Sequence, residues 1–221
     1  MLHVNTRYLQ LAFNDDLAMA RKILPQIVPS DRILVEAGTP FIKREGVRGI
    51  VALRTLWPGQ IVADIKTSDG AADEVAMVRA AGATAITVLG NAPTETLNLF
   101  IERCQQLGLD SMIDLLGVSD PLSVLRELRQ APTAMVLHRG RDEETTRGKV
   151  IQYRHVKRIK SKYDVLISAA GGVDLREARS AIFNGASIVV VNIVRPGSPW
   201  TGISSDSDVG AVARRFLETI E

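Results

Sequence analysis

Three charged residues fall at the end of one apolar run. They are Asp64, Lys66 and Asp69, within Ile61-Val62-Ala63-Asp64-Ile65-Lys66-Thr67-Ser68-Asp69-Gly70. The run opens as a buried strand, bounded by Pro58-Gly59 and Gly70. Residues two apart on a strand share a face, so Asp64 and Lys66 are expected side by side. Two carboxylates bracketing an ammonium hold Lys66 protonated and leave Asp64 an anion able to ligate a hard cation. An ion pair capping a strand is the plainer account of any Asp-x-Lys. The third charge and the polar residues at other strand ends favour chemistry instead.

Those residues need a scaffold. Strand-like apolar runs are expected at Tyr8–Phe13, Ile33–Glu36, Ile61–Ile65, Ala85–Leu89, Ser111–Leu115, Ala134–His138, Val165–Ala169 and Ile188–Val191. Helical spacing is read over Asp16–Ile27, Phe41–Leu56, Ala71–Ala81, Thr94–Leu107, Pro121–Gln130, Ile151–Lys162, Leu175–Asn184 and Asp208–Ile220. Continuous apolar strands followed by amphipathic helices, eight times over, predict a single (β/α)8 TIM barrel of the α/β class covering residues 1–221. An open doubly wound sheet is the competitor, but no G-x-G-x-x-G follows the first strand.

A barrel turns position into chemistry, because side chains at the carboxyl ends of its strands face the active-site mouth. Those ends carry Asn14, Glu36, Asp64 with Lys66, Asp114, His138 with Arg139 and Arg141, Gly171-Gly172 and Asn192. His138 ionises near neutrality and suits proton transfer. Taken alone, a strand-end histidine is usually structural, Gly171-Gly172 is only a turn, and Glu36 is an incidental acid.

Composition narrows the classes. The chain has 221 residues, 46% hydrophobic and 24% charged, with a net charge of +2. Scattered Lys and Arg imply neither a nucleic-acid nor a membrane partner, and the basic run Arg154–Lys160 reads as the solvated face of a helix. One cysteine, Cys104, excludes an internal disulfide and a Cys-based metal cage. With no signal-like amino terminus and no apolar run of membrane-spanning length, a cytoplasmic location is expected.

Five ordered segments carry a resemblance. Ala63-Asp64-Ile65-Lys66-Thr67-x-Asp69 resembles the Asp-x-Lys-x-x-Asp signature of the orotidine 5′-monophosphate decarboxylase superfamily. Four further segments are similar to its 3-hexulose-6-phosphate synthase and 3-keto-L-gulonate-6-phosphate decarboxylase branch. They are Glu36–Gly46, Met112–Pro121, His138–Glu143 and Ala169–Val173. The resemblance implies a homodimer of barrels with active sites at the interface, binding Mg²⁺ and a phosphorylated sugar and passing through a metal-stabilised enediolate. It implies that Glu36 and Asp64 hold Mg²⁺, with Mn²⁺ equally suited to oxygen ligands. Lys66 would serve the enediolate oxygen, Asp69 would cross into the neighbour's site, His138 would move the proton, and Gly171-Gly172 would present N–H groups to phosphate. Asp114 would contact substrate or pair with Lys66.

Two places depart from the family pattern. Asn14 stands where the first strand normally ends in aspartate, keeping the hydrogen-bonding shape but removing a charge. After the last strand Asn192-Ile193 replaces the usual Gly-Arg, whose arginine clamps phosphate; Arg195, two residues on, is the expected substitute. The stretch Arg195–Ser207 is long and reads as a lid.

Three activities fit the residues. A synthase would condense formaldehyde with ribulose 5-phosphate, or reverse that step. Asp142-Glu143-Glu144 and the run Ile113–Pro121 resemble that line. A keto-gulonate phosphate decarboxylase would reach a similar enediolate, and Arg141 matches that branch. A barrel binding sugar phosphate without catalysis is the third, though pure binding does not need the costly Asp64-Lys66-Asp69 charges.

Overall fold

The computed structural model describes residues 1–146 and 150–221. Eight parallel strands close into a ring: β1 (Tyr8–Phe13), β2 (Ile33–Ala37), β3 (Gln60–Thr67), β4 (Ala85–Leu89), β5 (Asp110–Asp114), β6 (Ala134–His138), β7 (Leu166–Ala170) and β8 (Ile188–Val194). Each pairs with the next, and β1 closes on β8 from Tyr8↔Ile188 to Phe13↔Ile193. A short β9 (Ile203–Ser204) extends the end of β8 through Ile193↔Ile203. The expected barrel is therefore the observed one.

Around the ring lie α1 (Leu17–Ile23), α2 (Thr39–Leu56), α3 (Ala71–Ala80), α4 (Thr94–Leu107), α5 (Pro121–Glu127), α6 (Arg141–Glu144), α7 (Val156–Lys160), α8 (Leu175–Phe183) and α9 (Val209–Thr219). Local signals explain several ends. Asp16, Asp120, Asp174 and Asp208 cap α1, α5, α8 and α9 through side-chain bonds to backbone N–H groups. Gly108 closes α4 in the left-handed region. The long α2 is interrupted at Gly46 (φ 63°) rather than running straight.

Burial separates into two cores. Inside the ring, Tyr8, Ala12, Leu34, Val62, Met112, Val136, Leu166 and Val190 pack together. Between ring and helices a larger cluster includes Leu9, Leu11, Phe13, Phe41, Trp57, Phe100 and Phe216. Alternation along each strand sends one residue to each layer, which is why the strands read as unbroken apolar runs. Cys104 is buried in the outer layer, and burial pushes its thiol up to about 12, as expected of a structural thiol.

Several boundaries move. The helix expected over Ile151–Lys162 is confined to Val156–Lys160, and the one expected over Asp16–Ile27 passes into a 3-10 turn at Leu24–Gln26, where Pro25 withholds an N–H. Strand β8 runs three residues past its expected end at Val191, because Ile193 finds partners on both β1 and β9. Among the described residues no helix is long and apolar enough to cross a membrane.

Candidate active site

Strand β3 does not follow plain alternation where the charges sit. Ala63 pairs with Ile86 but Thr67 pairs with Val88, so four steps along β3 match two along β4. The extra chain is a bulge, and Lys66 within it has φ 54°. A lysine in the left-handed region carries backbone strain, of a kind that collects at functional sites. Its N–H is compensated by Thr87 Oγ1 at 3.0 Å. The bulge, not a two-residue repeat alone, brings Lys66 beside Asp64, while Ile65 packs against the outer core.

Lys66 Nζ lies 2.9 and 2.8 Å from the two oxygens of Asp64 and 2.8 Å from Asp114 Oδ2. The bracketing carboxylates are thus Asp64 and Asp114, not Asp64 and Asp69. Asp69 is exposed, its carboxylate accepting from Gly70 N–H, and it lies outside the cavity of its own chain. Burial alone would lower the Lys66 ammonium, but the charges of Asp64 and Asp114 outweigh it and hold Lys66 protonated above its usual range.

Asp114 also receives His138 Nδ1, at 2.8 and 3.0 Å from its two oxygens, and the Leu116 N–H at 2.9 Å. Burial works against the Asp114 anion, yet the hydrogen bond and charge of His138, and then Lys66, hold the carboxyl below its usual range. The reciprocal effect raises His138: burial lowers it, and the Asp114 hydrogen bond and charge more than compensate. The expected pairing of Asp114 with Lys66 is present, and Asp114 also lines the cavity.

On the other side of Lys66 sits the carboxylate pair. Asp64 accepts from Thr87 Oγ1 at 2.8 Å and Thr39 Oγ1 at 2.9 Å. Glu36, buried on neighbouring β2, accepts from Gln10 Nε2 at 2.5 Å. Burial, with the Asp64 charge beside it, pushes the Glu36 carboxyl up to about 7. Gln10 Oε1 is buried without a hydrogen-bond partner among the described residues. An all-oxygen set with two crowded carboxylates suits a hard divalent cation, which would relieve their repulsion. Among the described residues no three His, Cys, Asp or Glu side chains gather as a complete cage, and Mg²⁺ ordinarily needs only one or two carboxylates.

These groups form the floor of a cavity of about 550 Å³ at the carboxyl end of the barrel. Asn14, Lys43, His138, Arg141, Glu144, Gly171 and Asn192 line its sides and mouth. Asn14 Nδ2 donates to Asn192 Oδ1 at 3.0 Å, so the two positions that depart from the family pattern meet.

Two expected phosphate contacts are placed differently. Arg195 is exposed and spent on Asp15 and Asp16, away from the cavity lining. A Cβ on Gly172 would meet the Arg139 guanidinium and the Glu144 carboxylate, so these side chains cover that turn and only Gly171 reaches the cavity. Gln10 and Thr87 were not singled out from sequence, and Thr39, Lys43 and Glu144 stood there only inside similar segments and not as site residues. Gln10 and Thr87 had a legible mark, each being a polar residue inside an apolar strand.

Residues 8–192 match the Orotidine 5′-phosphate decarboxylase / HUMPS family. Over 215 residues the chain is 37% identical to the "Bifunctional enzyme Fae/Hps" of Methanosarcina barkeri, covering 96% of this chain and 52% of that protein. The chain therefore spans about half the length of the curated relatives it matches. A 3-hexulose-6-phosphate synthase from Salmonella typhimurium superposes with a TM-score of 0.83 at 26% identity, covering 96% of this chain and 98% of that one. KGPDC from Streptococcus mutans superposes with a TM-score of 0.78 at 17% identity, covering 98% of each chain, and supports the fold alone. The chain belongs to the orotidine 5′-phosphate decarboxylase / HUMPS family.

Proposed function

We propose that this chain is a carbon–carbon lyase of the aldehyde-lyase type, joining formaldehyde to ribulose 5-phosphate, and running the reverse step, as a 3-hexulose-6-phosphate synthase does. The observation that carries the reading is the Lys66–Asp114–His138 array set beside Glu36 and Asp64 on one cavity floor. Similarity to the Fae/Hps proteins and the Salmonella synthase supports it.

His138 is the base. Asp114 holds Nδ1, which leaves Nε2 to take the C1 proton of ribulose 5-phosphate. The electron pair released moves onto the carbonyl oxygen and gives an enediolate. Lys66, kept cationic by two carboxylates, offers its charge to that oxygen. The enediolate carbon attacks formaldehyde, a C–C bond forms, and the new alkoxide recovers the proton from His138. Glu36 and Asp64 would hold Mg²⁺ or Mn²⁺, whose divalent charge favours neighbouring oxygens of the sugar in their anionic form. Exposed Asp69, just past the end of β3, suits a homodimer in which each chain sends this carboxylate to its partner's cavity.

Arg141 at the cavity mouth favours a second reading, decarboxylation of a keto-gulonate phosphate to a similar enediolate. Incubation with ribulose 5-phosphate, formaldehyde and Mg²⁺, following hexulose phosphate, tests the first reading. Turnover of keto-gulonate phosphate alone would replace it with the second. Thermal stabilisation by sugar phosphate with no turnover of either would leave a binding protein.

A further inference from the structure

The cavity mouth carries an arginine whose donors are unspent. Arg141 opens α6 and lines the cavity, and its guanidinium carbon sits 5.1 Å from the centre of the Trp200 ring. Among the described residues its guanidinium makes no hydrogen bond or ion pair to protein. Arg195 is the contrast, its nitrogens taken by Asp15 and Asp16. A ring face orients a guanidinium without consuming an N–H, whereas a carboxylate partner would neutralise it.

Trp200 is itself held in place. The segment from Arg195 to Thr201 is tied to the β1–α1 loop at one end by the Arg195 ion pairs. At the other end Asn192 Nδ2 donates to Thr201 O at 3.3 Å. Trp200 N–H donates to Ser198 Oγ at 3.2 Å. The chain can return this close to β8 because residue 202 is glycine; a Cβ there would run into the Asn192 carbonyl oxygen. Ile193 meanwhile is buried in the outer core and offers the cavity no donor.

Charge differs between floor and mouth. Glu36, Asp64 and Asp114 make the floor acidic, whereas nearer the mouth Asp142, Glu143 and Glu144 share the lining with the cations Lys43 and Arg141. An anionic group on a ligand is repelled by the floor and finds its attraction at the Arg141 and Lys43 side chains. We infer that Trp200 is a positioning residue: it holds the Arg141 guanidinium toward the cavity mouth, where that guanidinium takes the phosphate of the sugar substrate. The inference rests on the sugar-phosphate reading of the site and adds to it what presents the anion-binding cation in a chain whose strand-eight loop has Ile193.

The test uses Trp200→Ala, Trp200→Phe, Arg141→Ala and the double variant Trp200→Ala/Arg141→Ala, each checked for an unchanged melting temperature. Dissociation constants for ribulose 5-phosphate and for inorganic phosphate are measured by calorimetry with Mg²⁺ present, and KM and kcat are measured in the synthase assay. Trp200→Ala should weaken ribulose 5-phosphate binding and raise KM by about tenfold, with kcat changed by less than about threefold. Trp200→Phe keeps a ring face and should lose less than about threefold. Removing Trp200 in the Arg141→Ala background should cost nothing further, since a residue acting through another is not additive with it. An unchanged Trp200→Ala affinity, or a full additional loss in the Arg141→Ala background, would overturn the inference. If the parent protein binds ribulose 5-phosphate but turns over neither substrate, the reaction reading fails and the dissociation constants alone decide the Trp200 role. If it binds neither ribulose 5-phosphate nor phosphate, both fail.

Discussion

His138 Nδ1 lies 2.8 Å from Asp114 Oδ2, across two neighbouring strands, and one carboxylate thereby fixes which ring nitrogen faces the cavity. The same oxygen receives Lys66 Nζ, so Asp114 couples the proton-transfer group to the fixed cation. Removing its charge should be felt in the pH profile as well as in the rate.

The Asp114→Asn variant is expected to lose about 10²-fold or more in kcat. In the parent, Asp114 raises His138 against the opposing effect of burial. Without that anion only the weaker Asp64 charge opposes burial and Lys66, and the pKa of His138 falls. A base works only when deprotonated, so the acidic limb of the profile should move to lower pH. A limb that stays in place would mean another group abstracts the proton. The pair also bears on stability: the His138 contribution is complete below the ordinary histidine value and lost as pH rises through its raised folded value.

Glu36→Gln separates function from stability. Burial and Asp64 push the Glu36 carboxyl up to about 7, so folding disfavours its anion. A carboxyl raised on folding costs stability as pH climbs from the unfolded value through the folded one. Metal-free parent protein should therefore lose stability between about pH 4.5 and 7, and the neutral isostere should not. At neutral pH Glu36→Gln should unfold about 1–3 kcal/mol harder while turnover collapses. Denaturation at two pH values checks this, and equal slopes for both proteins would contradict it.

Lys66 and a divalent cation share Asp64 in the proposed mechanism, which makes them electrostatic competitors. Lys66→Ala should reduce turnover by about 10³-fold through lost charge at the enediolate oxygen. It leaves Asp64, Asp114 and Glu36 with less compensation and should cost about 3–5 kcal/mol without metal. Added Mg²⁺ or Mn²⁺ should recover more stability for the variant than for the parent, because removing a neighbouring cation tightens metal binding. A chelator should silence the parent and excess metal restore it. Equal thermal shifts in both proteins would place the cation elsewhere.

How much of this could be read from residue order depends on range. Tyr8–Phe13, Ala85–Leu89 and Ala134–His138 were legible to the residue, because apolar runs buried on both faces have sharp polar ends. Their closure placed Glu36, Asp64, Lys66 and His138 around one cavity. The Lys66 bulge was not legible: a positive φ at lysine has no sequence mark, since the context and not the residue imposes it. Nor was the choice of Asp114 over Asp69 as the second partner of Lys66. That depends on how far β5 stands from β3 in the closed ring, a tertiary distance that local pattern does not encode. Nor was the pairing of Arg195 outside the cavity lining legible, since Asp15 and Asp16 reach it from the opposite end of the chain.

Asp69 supplies the last prediction. Its carboxylate is exposed and cannot serve its own cavity in the position seen, whereas Lys66 is held within that cavity. In a two-fold dimer with Asp69 shared across the interface, each site takes Lys66 from one chain and Asp69 from the other. Asp69→Asn and Lys66→Ala homodimers would each be inactive. After mixing and subunit exchange about half of the dimers are mixed, and each mixed dimer has one site with both defects and one with neither. About a quarter of all sites should then be intact, and activity should return to about that fraction of the parent level. Sedimentation shows whether dimers form and exchange. Exchange without recovery would assign Asp69 to its own subunit or to no site, and recovery would fix it as the partner's contribution.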